Sequence, residues 1–566
     1  MFNRRDFIKM SSLLVGSAGL AKPVSVFAAE KKPTGYFGVH PFVEMHPEAV
    51  FIMRTQVDSK TNSEACRRVG LDFGRTLLVP MDNTGAPVSS HIATKANLTA
   101  HSPVDEKKGL KLEDTMGICT DVFFVEGMFN ALMEMGVPGK NMHTRDVNGA
   151  RIVEARGYVA MAERTGATVA GKTTRITSED DARDESTFVW RETPDGVVYE
   201  QIPYLWPINA PGSWNMNLAK FKAHEMGLTL TCKNLQGTNA NPYQGYCQKW
   251  SNIDRMQKLE KVLKWETINP KVHDIIDPSF ARHQRTLPRF DIPTYPEKYK
   301  GTAARLLQEY DPLCMEMWAH RTIDNIATSD QKIHVIEGIY GRDGDFNWGP
   351  NPYNNDDSRD PLGVARDYMT NVVIFGKNPY LVDNIGHWLG GHEPGNFALF
   401  HIAMERGKVG MLNPMNIPIY EWVDGVPVRR PLTSFTRTPL KTFHLLKYQT
   451  DEPYWHLVNE PFDYSTVNET LPQMPSRPTS QVFNQHYPSA NYPVMAIEIG
   501  IPKPGWVQVE VLDRDGATLE VIMNAICDGG YHMAAWDTSK YTSGAYKYRF
   551  RYDDFTEVRD ISLNKA

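Results

Sequence analysis

The segment 217–237 concentrates side chains that bind anions and exchange protons. Five of them bracket a short apolar run: Lys220, Lys222, His224, Lys233 and Asn234. Lysine and asparagine neutralise and orient phosphate or carboxylate oxygens, and histidine donates and accepts protons near neutral pH. The pattern therefore predicts a binding site for an anionic small molecule. An exposed strand whose lysines are simply solvated gives the same pattern and is the alternative.

A second segment, 383–401, combines one aspartate with three histidines. Asp383 and His387 lie four residues apart in a stretch with helical spacing, which places both on one helix face. Imidazole nitrogen and carboxylate oxygen are ligands of transition metals. Asp383, His387 and His392 are therefore candidate ligands of a divalent metal, with His401 nearby. The alternative is that Asp383 pairs inside the fold while the histidines form local hydrogen bonds.

Three stretches share a further pattern. The first reads Lys-x-His and then Thr-x-x-x-Lys-Asn-x-x-Gly over 222–237. The second, at 95–98, reads Lys-Ala-Asn-Leu, and the third, at 376–383, reads Gly-x-Asn-Pro-x-x-Val-Asp. Together they resemble the bacterial and archaeal family described as domain of unknown function 362, in which a proline stands where this chain has Ala96. The family has no settled general function.

This resemblance implies one pocket formed by all three stretches, lined by Lys95, Asn97, Lys222, His224, Lys233, Asn234 and Asp383. In such a pocket the lysines and asparagines bind the anion and His224 is the general acid and base. Asp383 orients His224 or holds a metal. The resemblance requires none of His387, His392 and His401. The reaction type does not follow from these residues, and isomerase or redox chemistry on a carboxylate is the working hypothesis.

Alternating strand and helix patterns predict the fold class of residues 30–465. A strand-like stretch at 142–147 follows apolar residues at helical spacing over 122–136, and another helix is predicted over 150–163. This alternation is typical of βαβ units, so we expect an α/β domain with a mostly parallel sheet and covering helices. Ligands bind beyond the carboxyl ends of such strands, where Asp146 lies. A helix-capping or loop role is the alternative for Asp146.

The chain begins with features of a twin-arginine export signal. Arg4 and Arg5 are followed by a short apolar run and by small residues typical of a cleavage site. A membrane anchor is the alternative, but the apolar run is too short to cross a bilayer. We therefore expect residues 1–29 to direct export to the periplasm or cell surface. The twin-arginine route carries folded proteins, often with a cofactor already inserted, so a bound prosthetic group is compatible with this signal.

Residues 494–566 have the pattern of an all-β domain. Short alternating strands flank turns, and a proline-rich stretch at 466–493 is the candidate linker before them. Five residues follow a Trp-Asp and Ser-Gly-x-Tyr pattern: Trp536, Asp537, Ser543, Gly544 and Tyr546. This pattern is similar to the small immunoglobulin-like domain of flagellar hook-cap type. The resemblance implies a β-sandwich used for adhesion or assembly, and hence a protein partner.

Composition excludes several classes of function. The 566 residues carry a formal net charge of −6, which argues against a nucleic-acid partner. After the signal, no apolar run is long enough to span a membrane. The six cysteines are scattered without a Cys-x-x-Cys pair, so the sequence has no motif for an iron–sulfur cluster or zinc ribbon. Cys232 with Cys247 is a candidate disulfide in an oxidising periplasm, and buried free thiols are the alternative.

Two functions from different classes remain open on the sequence. An enzyme should hold its polar residues in a cleft with perturbed ionisation. A binding or assembly module should instead bury its lysines in satisfied pairs and expose an apolar patch elsewhere. The identity of a bound metal or cofactor does not follow from the sequence.

Overall fold

The computed structural model describes most of the chain between Gly35 and Leu563. The described residues are 35–81, 83–99, 111–148, 150–169, 171, 173–224, 227–244, 251–270, 272, 312–344, 365–423, 425–441, 461–471, 480–487, 494–527 and 529–563. The predicted export signal at 1–29 lies outside them.

The strands fall into two groups along the chain. Those before residue 430 are β1 Tyr36–Val39, β2 Val50–Arg54, β3 Leu78–Met81, β4 Ala86–Pro87, β5 Ile92–Ala96, β6 Met142–Thr144, β7 Phe188–Glu192, β8 Gln201–Leu205, β9 Trp214–His224, β10 Gly227–Thr229, β11 Gln331–Arg342, β12 Asp367–Gly376, β13 Ile419–Val423 and β14 Val426–Arg429. Those after residue 480 are β15 Val482–Tyr487, β16 Val494–Ile501, β17 Gly505–Asp513, β18 Thr518–Cys527, β19 Gly530–Asp537, β20 Gly544–Tyr552 and β21 Phe555–Leu563.

The described α-helices all precede residue 406. They are α1 Pro41–Met45, α2 Ser63–Leu77, α3 Val122–Glu134, α4 Ala150–Ala155, α5 Tyr158–Thr165, α6 Glu179–Arg183, α7 Thr231–Asn234, α8 Ser251–Leu263, α9 Pro312–Thr328, α10 Pro379–Leu389 and α11 Ala398–Glu405. The single helix predicted over 150–163 is two helices, because Gly157 adopts a left-handed conformation with φ of 81° between α4 and α5.

One large sheet organises the first 430 residues. Its strands run in the order β14, β13, β2, β12, β11, β9, β5, β6, and β10 pairs with β9. The pairs β5–β6, β5–β9, β9–β11 and β2–β13 are parallel, whereas β2–β12, β11–β12, β13–β14 and β9–β10 are antiparallel. The predicted α/β class is confirmed, but the sheet is mixed rather than mostly parallel. Strand β12 runs against both of its neighbours and accounts for half of the antiparallel pairs.

Helices cover both faces of this sheet. On one face Phe73 of α2 and Phe124 of α3 pack against Leu218 of β9. On the other, Leu381 of α10 and Trp318 of α9 join a second core cluster. Side chains alternate along a strand, so successive residues of β9 enter different layers of the core. Within the described residues, no helix combines the length and apolar character needed to cross a bilayer.

The end of the chain forms two further sheets, ordered β15-β16-β19 and β18-β17-β20-β21. Residues of both sheets share one core, including Trp536 from the first and Val509 and Phe550 from the second. The predicted C-terminal β domain is confirmed at this level. Strand β15 lies inside the stretch predicted as a linker, 466–493, and pairs with β16. The C-terminal domain therefore begins no later than Val482.

The cysteines do not follow the candidate pairing. Cys66, Cys119, Cys232 and Cys527 are buried free thiols. The candidate disulfide between Cys232 and Cys247 is therefore wrong for Cys232, whose thiol packs in the apolar core beside α10. Cys247 lies outside the described residues.

Candidate functional site

Lys95 is the centre of a buried polar network at the carboxyl end of β5. Its Nζ donates to Asp146 Oδ2 at 2.6 Å, to Asn234 Oδ1 at 2.8 Å and to the carbonyl oxygen of Ala96 at 2.6 Å. Asp146 follows β6, the parallel neighbour of β5, so its carboxylate meets Lys95 at one edge of the sheet. An ammonium group has three donors, and all three are used here.

Asparagines extend this network across the sheet. Asn234 donates to the carbonyl oxygen of Lys95 at 3.0 Å and to Asn217 Oδ1 at 2.7 Å, and Asn97 donates to Asn234 Oδ1 at 3.2 Å. Asn217 Nδ2 in turn donates to His334 Nδ1 at 3.1 Å. Burial lowers the pKa of His334 to about 3, which keeps the ring neutral and able to accept this bond.

Opposing effects act on the ionisation of Lys95. Burial lowers the pKa of its ammonium, and the adjacent Asp146 carboxylate raises it. Lys95 and Asp146 have side chains only 2% and 3% exposed. The pair is therefore buried away from water. The contact between the two charges and the hydrogen bond from Lys95 to Asn234 offset the lost hydration.

The absence of a side chain at Gly237 makes room for the ion pair of Lys95 and Asp146. A Cβ atom at position 237 would lie 2.6 Å from Lys95 Cε and 2.9 Å from Asp146 Oδ2. We therefore expect Gly237→Ala to displace the ion pair and lower the free energy of unfolding by about 1–3 kcal/mol, the usual cost of overpacking. Urea unfolding measures the change.

Gly544→Ala is the matched control for this substitution. The nearest atom to a Cβ at Gly544 is 3.8 Å away, so its free energy of unfolding should change by no more than about 0.5 kcal/mol. Equal midpoints for Gly237→Ala and the wild type would contradict the close packing at Gly237.

Asp383 caps the short helix α7 from a distant part of the chain. Its Oδ1 accepts from the Thr231 backbone N–H at 2.7 Å and from Thr231 Oγ1 at 2.6 Å, and its Oδ2 accepts from the Cys232 N–H at 2.8 Å. Asp383 lies on α10, so these bonds tie α10 to the turn that carries Asn234. Burial raises the pKa of Asp383 to about 6, even though its three hydrogen bonds favour the ionised form.

The raised pKa of Asp383 makes stability depend on pH in one direction. Because the folded protein holds this proton more tightly than the unfolded chain, stability from this group is greatest below pH 4 and is lost as the pH rises through 6. The shift corresponds to about 3 kcal/mol. The difference in free energy of unfolding between wild type and Asp383→Asn should fall by about 1 kcal/mol between pH 5.5 and pH 7.5, where only the upper part of this titration is sampled. A constant difference across this range in urea titrations would contradict the assignment.

The histidines of the predicted metal site form local hydrogen bonds. His387 Nδ1 donates to the carbonyl oxygen of Asp383 at 2.8 Å, and His392 Nε2 donates to that of Leu440 at 2.7 Å. His401 Nε2 bonds to the Gly395 carbonyl at 2.7 Å. The His387 and His392 rings lie 6.4 Å apart.

The residues predicted as metal ligands do not form a ligand cluster. Among the described residues, no group of three or more His, Cys, Asp or Glu could hold a metal ion. The Asp383 carboxylate faces the N–H groups of α7, and His387 points one ring nitrogen at its own helix. The site predicted from Asp383, His387 and His392 is therefore not supported by this arrangement.

A second buried ion pair lies on the opposite face of the sheet. Lys220 Nζ contacts Glu337 Oε2 at 2.7 Å and Oε1 at 3.0 Å, and both side chains are fully buried. The ammonium also lies 3.4 Å from the centre of the Tyr340 ring, whose hydroxyl donates to Asp121. Burial raises the pKa of Glu337 and Lys220 opposes this shift. No local sequence signal joins Lys220 to Glu337, which lies on another strand.

The predicted pocket residues are divided between the two faces. Alternation in β9 places Phe221 in the core cluster beside α10, and Leu218 in the cluster beside α2 and α3. Lys222 and His224 share the face of Leu218, whereas the network of Lys95, Asn97 and Asn234 meets β9 through Asn217 on the other face. Lys233 is half-buried beside Asn234. The structure therefore joins Lys95, Asn97 and Asn234, and separates Lys222 and His224 from them.

The sequence was compared with protein-family models and with curated proteins, and neither comparison found a match. The resemblance to domain of unknown function 362 stays a prediction from the motifs.

Proposed function

We propose that this chain is a binding and assembly module of the periplasm or cell surface, in which the predicted pocket residues stabilise the α/β domain. The observation that supports this most is the saturation of Lys95, whose three donors all bond within the fold. Lys220 is likewise paired with Glu337 out of contact with water. The charge of each of these lysines is already balanced within the protein, which leaves it less suited to bind the anion of a ligand.

An apolar surface on the C-terminal domain supports the same proposal. Ile526 is 83% exposed and lies opposite Trp506, itself 38% exposed, on the neighbouring strand. Val521 and Leu519, also on β18, are 46% and 44% exposed. Among the described strands, β18 pairs only with β17, so it is an edge of its sheet. Exposed apolar edge strands are templates for pairing with another chain.

The partner that fits this edge is a second copy of the chain. Pairing between β18 and β17 is regular over 523–527, a segment without any charged residue. Two such segments can therefore pair antiparallel about a two-fold axis without placing like charges opposite each other. The other edge, β21, carries Glu557, Arg559 and Asp560, which disfavour the same contact.

Ile526→Lys tests this contact. Sedimentation velocity of the full-length exported protein should show a dimer at micromolar concentration, and Ile526→Lys should make it monomeric. Val558→Lys is the matched control, because Val558 is 49% exposed on the opposite edge strand and should leave the dimer intact. A monomeric wild type, or a dimer unaffected by Ile526→Lys, would rule out this assembly.

The second candidate function is an enzyme or binding protein for an anionic small molecule. The observation in its favour is that β9 and β11 place Lys222 beside Arg342 in register, with His224 further along the same face of β9. Both cations are 1% exposed. His224 would supply the acid and base, and isomerase or redox chemistry on a carboxylate would be the reaction class.

Native mass spectrometry with elemental analysis of protein purified from the periplasm tests this candidate. A stoichiometric organic anion or metal that is lost in Lys222→Ala would favour it. A mass equal to that of the polypeptide alone, for wild type and variant, would favour the assembly module.

A further inference from the structure

Arg156 is a buried guanidinium with an unused pair of donors. The side chain is 9% exposed, and its Nη1 donates to the carbonyl oxygen of Thr115 at 2.9 Å and to Thr115 Oγ1 at 3.2 Å. Its Nε and Nη2 are buried and have no hydrogen-bond partner among the described residues. Arginine stays charged at all ordinary pH values, so burial of this group requires a compensating anion or polar partner.

Three other arginines of the same chain show what binds to that edge of the group. Arg75, Arg164 and Arg549 each direct Nε and Nη2 together at the two oxygens of one glutamate. The distances lie between 2.6 and 2.9 Å. Nε and Nη2 are parallel donors, and their spacing matches the two oxygens of a carboxylate or phosphate. In Arg156 the same edge has no carboxylate of the described residues against it.

The turn that holds Arg156 collects further positive charge. Along the 3-10 turn Glu113–Ile118, three successive carbonyl oxygens accept from three cations, Lys60 at Glu113, Arg342 at Asp114 and Arg156 at Thr115. Lys60 and Arg342 share the carboxylate of Asp367. Among the described residues no ion pair joins Arg156 to a carboxylate, so of these three cations only Arg156 lacks a carboxylate partner there.

We propose that the Nε and Nη2 edge of Arg156 binds an oxyanion, the carboxylate or phosphate group of a small molecule, at the turn Glu113–Ile118. The site is distinct from the Lys95 network, whose donors are saturated, and from the apolar edge of the C-terminal domain. It extends the second candidate function by naming a further anion-binding residue, and rests on Arg156 rather than on Lys222 or His224. The proposed assembly through β18 neither requires nor excludes it.

Binding of simple oxyanions to the full-length protein tests this site. Thermal unfolding is measured against inorganic phosphate and, in a separate arm, against acetate, at constant ionic strength set with sodium chloride. The wild type should be stabilised by one of them in a saturable way. The dissociation constant should rise at least tenfold in Arg156→Gln, which removes the charge and the paired donors.

Two further variants keep the result interpretable. Arg156→Lys retains the charge but lacks two parallel donors, and it should also bind at least tenfold more weakly, which decides the question if Arg156→Gln does not fold. Arg164→Gln removes an arginine whose edge already bonds to Glu126, and it should bind as the wild type does. Saturation by phosphate alone would assign a phosphate group and by acetate alone a carboxylate group. No saturable effect of either anion on the wild type, or equal affinity in Arg156→Lys, would overturn the proposal.

Discussion

Acidification from pH 7.5 to pH 5 should unfold most of this protein at room temperature. His40, His334, His387 and His392 are among the histidines that are almost completely buried, and they are neutral. Burial lowers the pKa to about 3 for the first three and to about 4 for His392. In the unfolded chain the same rings titrate near pH 6.5.

The sign of the effect follows from where protons bind. Below pH 6.5 these histidines bind protons in the unfolded chain but stay unprotonated in the folded protein, so the free energy of unfolding falls as the pH falls. Each ring contributes a loss of about 2 kcal/mol by pH 5, and four rings lose on the order of 8 kcal/mol. That is comparable to the entire stability of a typical domain, about 5–15 kcal/mol. The opposite pH dependence of Asp383 offsets only part of this loss.

Urea unfolding at pH 7.5, 6.5, 5.5 and 5 measures this dependence. The free energy of unfolding should fall continuously over the series. His334→Gln, which keeps a side-chain acceptor for Asn217 without a titrating group, should have a shallower dependence on pH than the wild type. A stability that is constant to pH 5, or an unchanged slope in His334→Gln, would contradict the buried neutral histidines.

Glu337→Gln should destabilise the protein by about 3–5 kcal/mol, because it leaves the Lys220 ammonium buried without a counter-charge. Lys220 is fully buried, and Glu337 is its only carboxylate within 4 Å among the described residues. The carboxylate of Asp121 is not bonded to Lys220. It accepts hydrogen bonds from the Tyr340 hydroxyl and from the backbone N–H groups in the first turn of α3. Guanidinium unfolding of the variant measures the loss.

The double variant Lys220→Met with Glu337→Gln separates charge from packing. It contains no unpaired buried charge, so it should recover at least half of the stability lost in Glu337→Gln. If the double variant is as unstable as the sum of the two single variants, the cost arises from packing and the ion pair is not the cause.

The local elements of this fold are largely readable from the sequence. The apolar periodicity of α3 and the Asn378-Pro379 start of α10 predict helices close to those observed. Asp146 is readable too, because a polar residue directly after a parallel strand lies at the edge where Lys95 ends β5. The mixed direction of the sheet is not readable, since strand polarity depends on which distant strands become neighbours.

The composition of the site is harder to predict than its location. Lys220, Lys222 and His224 alternate with apolar residues, and a period of two already assigns them to one face of β9. Grouping them with Asn234 ignored that alternation, so residues from both faces were placed in one pocket. Asn217 bonds to His334 and Lys220 bonds to Glu337, and in each pair the two residues are 117 positions apart in the sequence. Only the tertiary fold brings such pairs together.

Strand β9 has polar side chains on both faces, Asn217 on one and Lys220, Lys222 and His224 on the other. Their positions restrict how this strand can align with its neighbours. A slip by one position would move Lys220 into the layer that holds Phe221 and would direct Phe221 at the carboxylate of Glu337. A buried ammonium without a carboxylate and a carboxylate facing an aromatic ring are both strongly unfavourable. Strand β9 is buried on both faces, and its charged side chains therefore disfavour any register shifted by one residue. A purely aliphatic central strand would not discriminate between registers in this way.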